Sequence, residues 1–396
     1  MRSLLLQIAS VTTINIKSLP QRAWLSLSTV VAVALVVMVL LSFLAMANGF
    51  RRTIEGSGAD DVAVVLRGGS QSEINSVVSG DQAQLIEEGA GIARDSAGKP
   101  LVSAELYLTV DGVKRATGTK ANLPLRGIGA EGAALRHGIV LTEGRMFSPG
   151  ANEIVVGKGV VKEFSGFDLG QTVTFRGAKW TVVGIFSAGG TVFESEIWAD
   201  ASVVQSLFKR VNVFQTVRAR LTSPPALADL RTYAEKDPRI KGLDIKSEAA
   251  YFADQASSTS DLIQKLGWPL AIAMAFGALA GALNTMYSSV AARATEIATL
   301  RAIGFGGVPA FVGTLIESLT LAAIGGVIGA LAAFFIFEGF TASTLGSSFT
   351  QVVFSFQLTP TLIAQGVLLA LAVGLIGGLF PAIRAARMPI VAALYG

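Results

Sequence analysis

The sequence predicts an α-helical membrane protein with four transmembrane helices and an α+β extracytoplasmic domain inserted between helices 1 and 2. The first observation is composition, because the 396 residues are 51% hydrophobic and only 15% charged, with a mean hydropathy of +0.57. Soluble domains carry about 25% charged residues, so this balance favours a membrane protein. The second observation is four long apolar runs, and the third is a polar interval of about 200 residues between the first two runs.

Each of the four apolar runs is long enough to cross a bilayer. The first has 23 residues without a charge, whereas a spanning helix needs roughly 20. The second begins near Leu266, with Trp268 where an interfacial aromatic residue belongs and Pro269 tolerated near the start. The predicted spans are 25–47, the apolar part of 248–287, 308–337 and 358–380, and Pro381 is expected to close the last one.

The distribution of basic residues predicts the orientation of these spans. Residues 1–24 read as an amphipathic helix along the cytoplasmic face, and Pro20 breaks it before the first span. With both termini in the cytoplasm, the inner segments hold seven basic residues against Glu296 alone. Basic residues accumulate on the cytoplasmic side of membrane proteins. The sequence therefore predicts that 288–307 and the tail 381–396 are cytoplasmic, and that 338–357 is a short periplasmic loop.

The interval 48–247 reads as a compact α+β domain on the outer side. One β-rich stretch ends in Asp111 and Gly112, a pair typical of hairpin turns. Residues 248–265 are polar with helical spacing and continue without a stop signal into the second span, which predicts a stalk helix of about 60 Å. The predicted strands are 61–67, 101–113, 153–156, 172–175 and 180–186, and the predicted helices are 201–208 and 225–235.

The stretch AARATEIATLRAIGF, residues 291–305, lies between the second and third spans and predicts a short helix. Alanine dominates it, and neither proline nor glycine occurs before Gly304. An amphipathic helix that is held at both ends by membrane spans is suited to transmit motion from a soluble partner to the membrane helices. An inert solvated loop is the alternative. The apolar positions expected on one face are Ile297, Leu300 and Ile303, and the charged positions are Arg293, Glu296 and Arg301.

Two features within the spans predict helix packing. Glu317 lies inside the third span, where a carboxylate is costly, and we expect a structural, interhelical role rather than a proton relay. Small residues four apart allow helix backbones to approach closely, so spans two to four are expected to pack tightly. These pairs are Gly277 and Gly281, Gly325 and Gly329, and Gly374 and Gly378.

Several function classes find no support in the sequence. Cysteine is absent, which removes thiol chemistry and zinc–thiolate sites, and the single histidine, His137, receives no role. The motif Gly98-Lys99-Pro100 does not match a phosphate-binding loop, and no catalytic signature occurs. The basic surplus lies on the predicted inner face, which argues against nucleic-acid binding. We therefore expect no enzyme activity, no metal site and no cofactor on this chain.

The run ATEIATLRAIGFGG, residues 294–307, resembles the coupling-helix signature of the MacB/FtsX-type (type VII) ABC transporter permeases. Thr295 stands where that family usually has arginine, whereas Glu296, Leu300 and Arg301 fit the pattern. The tail PAIRAARMPIVAALYG resembles the same family's ending, with Pro389 one residue early. Residues 144–186 are similar to the family's periplasmic core domain.

The resemblance implies a permease subunit in the bacterial inner membrane that works with two separate ABC ATPase subunits. ATP and Mg²⁺ would bind to those ATPases, and a second permease copy or a similar permease would complete the complex. It further implies that ATPase-driven motion of 291–305 reaches the periplasmic domain, for export or extraction of an envelope substrate, with a periplasmic adaptor or carrier protein as a further partner. The alternatives are an FtsX-like transducer that activates a cell-wall hydrolase, an ATP-independent membrane receptor, and an ion-coupled transporter with Glu317 as its proton site.

Overall fold

The computed structural model describes residues 2–129, 131–346 and 350–395. The chain divides into two compact units. The helical unit comprises the residues up to 47, 262–340 and 356–396, and the domain unit comprises 48–261 and 341–355. The domain unit is therefore built from two separate stretches of the chain.

Helices and strands are distributed unevenly along the described residues, with strands concentrated between the first two long helices. The helices are α1 Arg2–Lys17, α2 Ala23–Glu55, α3 Gly80–Glu87, α4 Lys158–Glu163, α5 Ala201–Phe208, α6 Ala226–Lys236, α7 Glu248–Ala292, α8 Ala294–Ala302, α9 Gly307–Phe337, α10 Pro360–Arg387 and α11 Ile390–Tyr395. The strands are β1 Val62–Arg67, β2 Val78–Ser79, β3 Val102–Lys114, β4 Lys120–Ile128, β5 Val140–Gly144, β6 Glu153–Gly157, β7 Phe164–Ser165, β8 Thr172–Phe175, β9 Ala178–Ser187, β10 Ile197–Asp200, β11 Val213–Phe214, β12 Thr216–Arg220, β13 Leu243–Ser247, β14 Thr341–Leu345 and β15 Gln351–Ser355. Short 3₁₀ turns are Leu19–Arg22, Glu73–Asn75 and Val192–Ser195.

Four of the described helices are long and apolar enough to cross a membrane, namely α2, α7, α9 and α10. The prediction of four apolar helices together with a β-rich domain is confirmed. The ends of two helices differ from the prediction. α2 continues to Glu55, and α10 continues through Pro381 to Arg387 instead of stopping there. Proline removes one main-chain hydrogen bond from the helix, and the burial of Ala382 and Ala385 beyond it offsets that loss.

Close backbone approach, made possible by glycine, packs three helices of the helical unit. A Cβ atom on Gly329 would lie 2.4 Å from the Ala34 carbonyl oxygen, so α9 packs directly on α2. A Cβ atom on Gly374 would lie 2.4 Å from the Ala322 Cβ, so α10 packs directly on α9. Cβ atoms on Gly325 and Gly378 would lie 2.8 Å from the Val30 carbonyl oxygen and 2.5 Å from the Ser318 Cβ, in the same two interfaces.

The glycine pair of α7 behaves differently from the other two pairs. Gly277 and Gly281 are exposed, and a Cβ atom added to either would meet nothing within 4 Å. The prediction that spans two to four pack through glycine is therefore not met at α7 within this chain. The glycine pair of α9 packs instead on α2, the first span, which the prediction did not include.

The domain unit centres on a mixed sheet whose central strands are buried on both faces. The described strands run in the order β13-β1-β12-β3-β4-β10-β6-β9-β5, with β7 on β3 and β8 on β9. One face of the sheet is apolar and carries two hydrophobic clusters. The first gathers Leu106, Leu125 and Ile197 with α4 and α5, and the second gathers Val65 and Val217 with α3 and α6. The opposite face of the central strands carries buried charge.

The predicted hairpin turn at Asp111 and Gly112 is wrong. β3 continues through both residues to Lys114, and the pairing with β4 extends to Val113 opposite Lys120. The turn lies farther on, where Gly118 has a φ of +67°. Gly112 serves packing rather than turning, because a Cβ atom there would lie 2.5 Å from Leu123.

The segment 338–357, predicted as a plain loop, contains the antiparallel hairpin of β14 and β15. The hairpin belongs to the domain unit. The Val353 N–H donates to Ser195 Oγ at 2.8 Å, and the Phe354 ring meets the Phe50 ring edge-on at 5.5 Å. The hydroxyls of Tyr107 and Thr350 lie 3.1 Å apart. The stretch between spans three and four is thus an integral part of the domain fold.

Candidate functional site

α8 is a short helix with a defined start and stop. A one-residue break at Arg293 separates it from the end of α7. At its other end the Phe305 N–H donates to the Leu300 carbonyl, and the Gly304 N–H donates to the Arg301 carbonyl. With Gly304 at a φ of +104°, this is the Schellman arrangement that ends helices at glycine. The helix is therefore shorter than the predicted 291–305, because Arg293 leaves helical geometry at one end and Gly304 at the other.

Arg293 lies inside the helical unit rather than on its surface, with only 6% of its area exposed. Its guanidinium donates to Glu317 Oε2 on α9 at 3.2 Å and to Glu296 Oε2 at 3.3 Å. It also donates to the side-chain oxygen of Asn15 on α1. A buried guanidinium is stable only when its donors are paired, so these contacts hold three helices around one side chain.

Glu317 is buried and paired. Besides Arg293 it accepts a hydrogen bond from Ser289 Oγ of α7 at 3.2 Å. The same hydroxyl accepts from Arg22 Nη1 at 2.5 Å, which brings the 3₁₀ turn after α1 into the cluster. We call Asn15, Arg22, Ser289, Arg293 and Glu317 the anchor cluster. This geometry, with both carboxylate oxygens engaged, supports the interhelical role expected for Glu317.

The predicted apolar stripe of α8 splits in the structure. Ile297 and Leu300 are half-buried and line a cavity of about 20 Å³ with Val11 of α1 and Ala310 of α9. Ile303 lies past the end of the helix and is 70% exposed. Residues spaced by three drift around a 3.6-residue helix, so the third member of the series leaves the face that the first defines. Ala298 is the fully buried residue of α8.

The charged residues of α8 divide in a similar way. Glu296 is exposed on the outer side of the helix despite its contact with Arg293. Arg301 donates to the Met388 carbonyl, in the bend between α10 and α11. The Thr295 hydroxyl donates to the Ala393 carbonyl of α11 at 3.5 Å. The exposed face of α8 therefore carries Thr295, Glu296, Thr299 and Ala302, and the exposed Ile303 follows directly after it.

Sequence reasoning missed three members of the anchor cluster, namely Asn15, Arg22 and Ser289. Asn15 follows Val11 by one helical turn, and both are buried where Gly313 of α9 lets α1 approach closely. A polar residue at a buried helix position signals a partner, but the sequence does not say which one. Ser289 gives no signal at all, because serine is common in such helices.

No cofactor or metal position emerges from the described residues. Within 2–129, 131–346 and 350–395, no three histidine, aspartate or glutamate side chains gather as a metal ion would require. The two arginines of the anchor cluster face Glu317 within the cluster and Glu296 beside it, so the local positive charge is compensated. Buried hydrogen bonds of Arg293, Glu317 and Ser289 link the start of α8 to α1, α7 and α9.

Comparison with protein families gives two matches that together cover most of the chain. Residues 26–235 match the family described as the MacB-like periplasmic core domain. Residues 269–390 match the family described as the FtsX-like permease C-terminal domain. A search of curated proteins found no match.

Three solved structures similar to this chain are of extracytoplasmic regions or isolated domains. The periplasmic region of MacB from Actinobacillus actinomycetemcomitans shares 15% identity, with 53% of this chain and 95% of that one covered and a TM-score of 0.37. The extracellular domain of the noncanonic ABC-type transporter YknZ from Gram-positive bacteria shares 13% identity, covering 47% and 100%, with a TM-score of 0.36. A domain of a putative permease protein from Porphyromonas gingivalis shares 16% identity, covering 47% and 87%, with a TM-score of 0.31.

Proposed function

The chain belongs to the MacB/FtsX-type family of ABC transporter permeases, and from that premise we propose that it transmits ATPase-driven motion across the inner membrane to its extracytoplasmic domain. The family implies ABC ATPase partners, and ATP and Mg²⁺ would bind to those separate subunits. In this proposal the ATPases push on α8, and α7 carries the motion to the domain. A second copy of this chain, or a similar permease, completes the complex.

The anchor cluster is the observation that supports this proposal. If α8 were loosely held, a force applied to it would move α8 alone and would not be transmitted to the neighbouring helices. Arg293, at the break between α7 and α8, donates to Glu317 of α9 and to Asn15 of α1. Because separating these groups would leave buried charge without a partner, α8 and its three neighbouring helices resist displacement relative to one another.

The placement of basic residues supports the orientation in this proposal. Arg301, Arg384 and Arg387 lie on or beside α8 and at the end of α10, and α8 joins α7 to α9. Because basic residues favour the cytoplasmic side, this proposal has α8, both termini and α11 in the cytoplasm. The glutamate of α9 is saturated by Arg293 and Ser289, which favours a structural role over service as a proton site.

The work done outside the membrane is proposed to be export or extraction of an envelope substrate, with a periplasmic adaptor or carrier protein as partner. Activation of a cell-wall hydrolase remains the second candidate within the same mechanism. The glycine pair of α7 leaves one face of that helix open, which supports pairing with another permease.

The experiment is ATP turnover by the ABC ATPase that co-purifies with the chain, measured with the chain in lipid nanodiscs. We expect Glu296→Ala combined with Leu300→Ala to lower turnover to that of the ATPase alone, because the variant removes both the exposed charge and the side chain that seats α8. The matched control is Leu141→Ala with Glu143→Ala, the same residue types on the exposed strand β5, which should leave turnover unchanged.

Two results would contradict the proposal. Normal stimulation by the α8 double variant would show that α8 is not the coupling element. Failure of the intact chain to retain any ABC ATPase would favour the ATP-independent receptor.

A further inference from the structure

The central strands of the domain carry a buried charged face opposite their apolar face. Alternation along each strand brings polar side chains from β12, β3 and β4 to the same side. In the ladder, Arg126 on β4 lies opposite Tyr107 on β3, and Arg218 on β12 lies opposite Ser103 on β3. Arg126 and Arg218 are both essentially unexposed, at 1% and 0%. We call this surface, with the charged residues that cover it, the ionic face.

Arg126 is the centre of the ionic face. Its guanidinium donates to both oxygens of Glu73, at 2.9 and 2.8 Å, and to both oxygens of Glu196, at 2.7 and 2.8 Å. It also donates to Glu105 Oε2 at 2.9 Å and lies 4.6 Å from the centre of the Tyr107 ring. Such paired, planar contacts fix an arginine in both position and orientation.

Two further arginines extend the ionic face. Arg136 donates to both oxygens of Glu105, at 2.8 and 2.6 Å. Arg218 donates to Glu73 Oε1 at 3.1 Å and to Glu248. Burial alone would raise the pKa of Glu73, but Arg126 and Arg218 lower it to about 2. The same balance holds the pKa of Glu105 below its usual range, since Arg136 and Arg126 outweigh burial. These carboxylates are therefore ionised at neutral pH.

The first two turns of α7 rest on the ionic face. Glu248, the first residue of α7, pairs with Arg218 and accepts from the Ala59 N–H at 3.2 Å. The Tyr251 hydroxyl accepts from the Glu73 N–H at 3.3 Å. The Phe252 ring meets the Phe193 ring edge-on at 5.8 Å and lies 5.7 Å from the Arg218 guanidinium carbon. The start of α7 is thus held by charge, by hydrogen bonds and by aromatic packing at once.

We propose that the ionic face is a rigid socket for the start of α7, so that the domain moves with the helix instead of hinging at Glu248. The inference deepens the proposed function and rests on it for its purpose, although the rigidity itself is testable separately. A helix that enters a domain through an ordinary loop can swivel at little cost. Here a swivel would separate Glu248 from Arg218 where both side chains are buried, and buried charges without partners are strongly disfavoured. Arg218 and Glu248 are therefore positioning residues.

The test measures the distance between the helix and the domain. The chain has no cysteine, so spin labels can be attached at Ala253→Cys on α7 and Lys179→Cys on β9, both exposed positions. The full chain is placed in nanodiscs with its co-purifying ATPase, and the distance distribution is recorded by double electron–electron resonance, with and without ATP. For the native contacts we expect one narrow distribution that ATP does not change.

Arg218→Met combined with Glu248→Met removes the central pair without leaving either charge unpaired. We expect the distribution to become about twofold broader and to respond to ATP, because α7 is then free to tilt relative to the sheet. The matched control is Arg145→Met with Glu153→Met, an ion pair on the same domain at 2.5 Å that does not touch α7. The control should keep the narrow distribution.

A narrow, ATP-insensitive distribution in the Arg218 and Glu248 double variant would overturn the socket. If that variant fails to fold, a second variant combines Tyr251→Phe with Gln255→Ala, because the Gln255 amide donates to the Gln71 carbonyl at 2.5 Å. This variant loosens the first turns of α7 without changing any charge, and an unchanged width there would equally overturn the socket. ATP turnover in the same samples separates the two claims. If the native chain does not stimulate ATP turnover, the proposed function is wrong. The widths of the distance distributions recorded without nucleotide would still decide whether the socket is rigid.

Discussion

The two units of this protein bury charge in different ways. In the helical unit, Arg293 and Glu317 form a pair whose remaining bonding capacity is filled by polar groups such as Asn15 and Ser289. In the domain unit, the ionic face assembles three arginines and four glutamates from strands, turns and a helix end among the described residues. The first arrangement ties a few helices together, and the second occupies a whole face of a sheet.

The difference reflects what else holds each unit together. The helical unit packs through close backbone contacts at glycine, and its buried ion pair of Arg293 and Glu317 lies where α7 meets α8. The domain unit has an apolar face that supplies its hydrophobic stability, so the opposite face can be used to define geometry. Buried ion pairs add little net stability compared with apolar packing, but they are costly to break, which favours a single arrangement.

The largest expected effect tests the ionic face. Arg126→Met leaves Glu73, Glu105 and Glu196 buried around a missing charge, so we expect a loss of about 3–5 kcal/mol in the free energy of unfolding. The measurement is chemical denaturation of the full chain in detergent, followed by tryptophan fluorescence. Arg145→Met, at an exposed pair of the same domain, is the control and should cause no measurable change. A loss in Arg126→Met no larger than in the control would mean that the charges of the ionic face do not depend on one another.

A smaller effect is expected from acid. The folded-state pKa of Glu73 is about 2, below the usual value of 4.5, so its contribution to stability is complete above pH 4.5 and disappears as pH falls towards 2. By pH 3 we expect a loss of about 2 kcal/mol from Glu73 alone. Denaturation midpoints at pH 6, 4 and 3 measure this loss, and Glu73→Gln should flatten the profile. Equal denaturation midpoints at all three pH values would contradict the ionised state assigned to Glu73.

The smallest effect tests packing in the helical unit. Gly329→Ala would place a Cβ atom 2.4 Å from the Ala34 carbonyl oxygen, so we expect a destabilisation of about 1–3 kcal/mol as α9 moves away from α2. Gly277→Ala makes the same chemical change where nothing lies within 4 Å and should be neutral or slightly stabilising. Thermal unfolding of both variants in the same detergent gives the comparison. Equal midpoints would show that α2 and α9 do not depend on close approach.

Sequence alone predicted the parts of the fold that depend on local pattern. The spans follow from hydropathy, whereas the predicted helix 291–305 ran past Gly304, whose left-handed backbone ends α8 at Ala302. The turn after β3 was misplaced because Gly112 meets a packing demand from Leu123, a residue on the neighbouring strand. A pattern read along one strand does not contain such a neighbour.

The candidate site was half predictable for the same reason. Glu317 was a candidate because it lies in an apolar span, and Arg293 because it lies in a charged helix. Nothing in the sequence predicted that the two form an ion pair. The ionic face was missed entirely. Glu73, Arg126 and Arg218 are far apart in sequence and each resembles an ordinary solvated charge, since arginine and glutamate are usually exposed. The register of β12, β3 and β4 brings the two arginines to one side of the sheet, and the turn Glu73–Asn75 brings Glu73 against them.

The domain unit can complete its fold only after the hairpin of β14 and β15 has been synthesised. Ribosomes synthesise residues 341–355 after the third span, long after strands β1 to β13 have left the exit tunnel. Until then Phe50, Tyr107 and Ser195 lack the partners that Phe354, Thr350 and Val353 later provide. A nascent or truncated 48–261 fragment therefore lacks the contacts that the hairpin makes with Phe50, Tyr107 and Ser195. A soluble fragment intended for crystallisation should include 341–355, joined to it through a short linker.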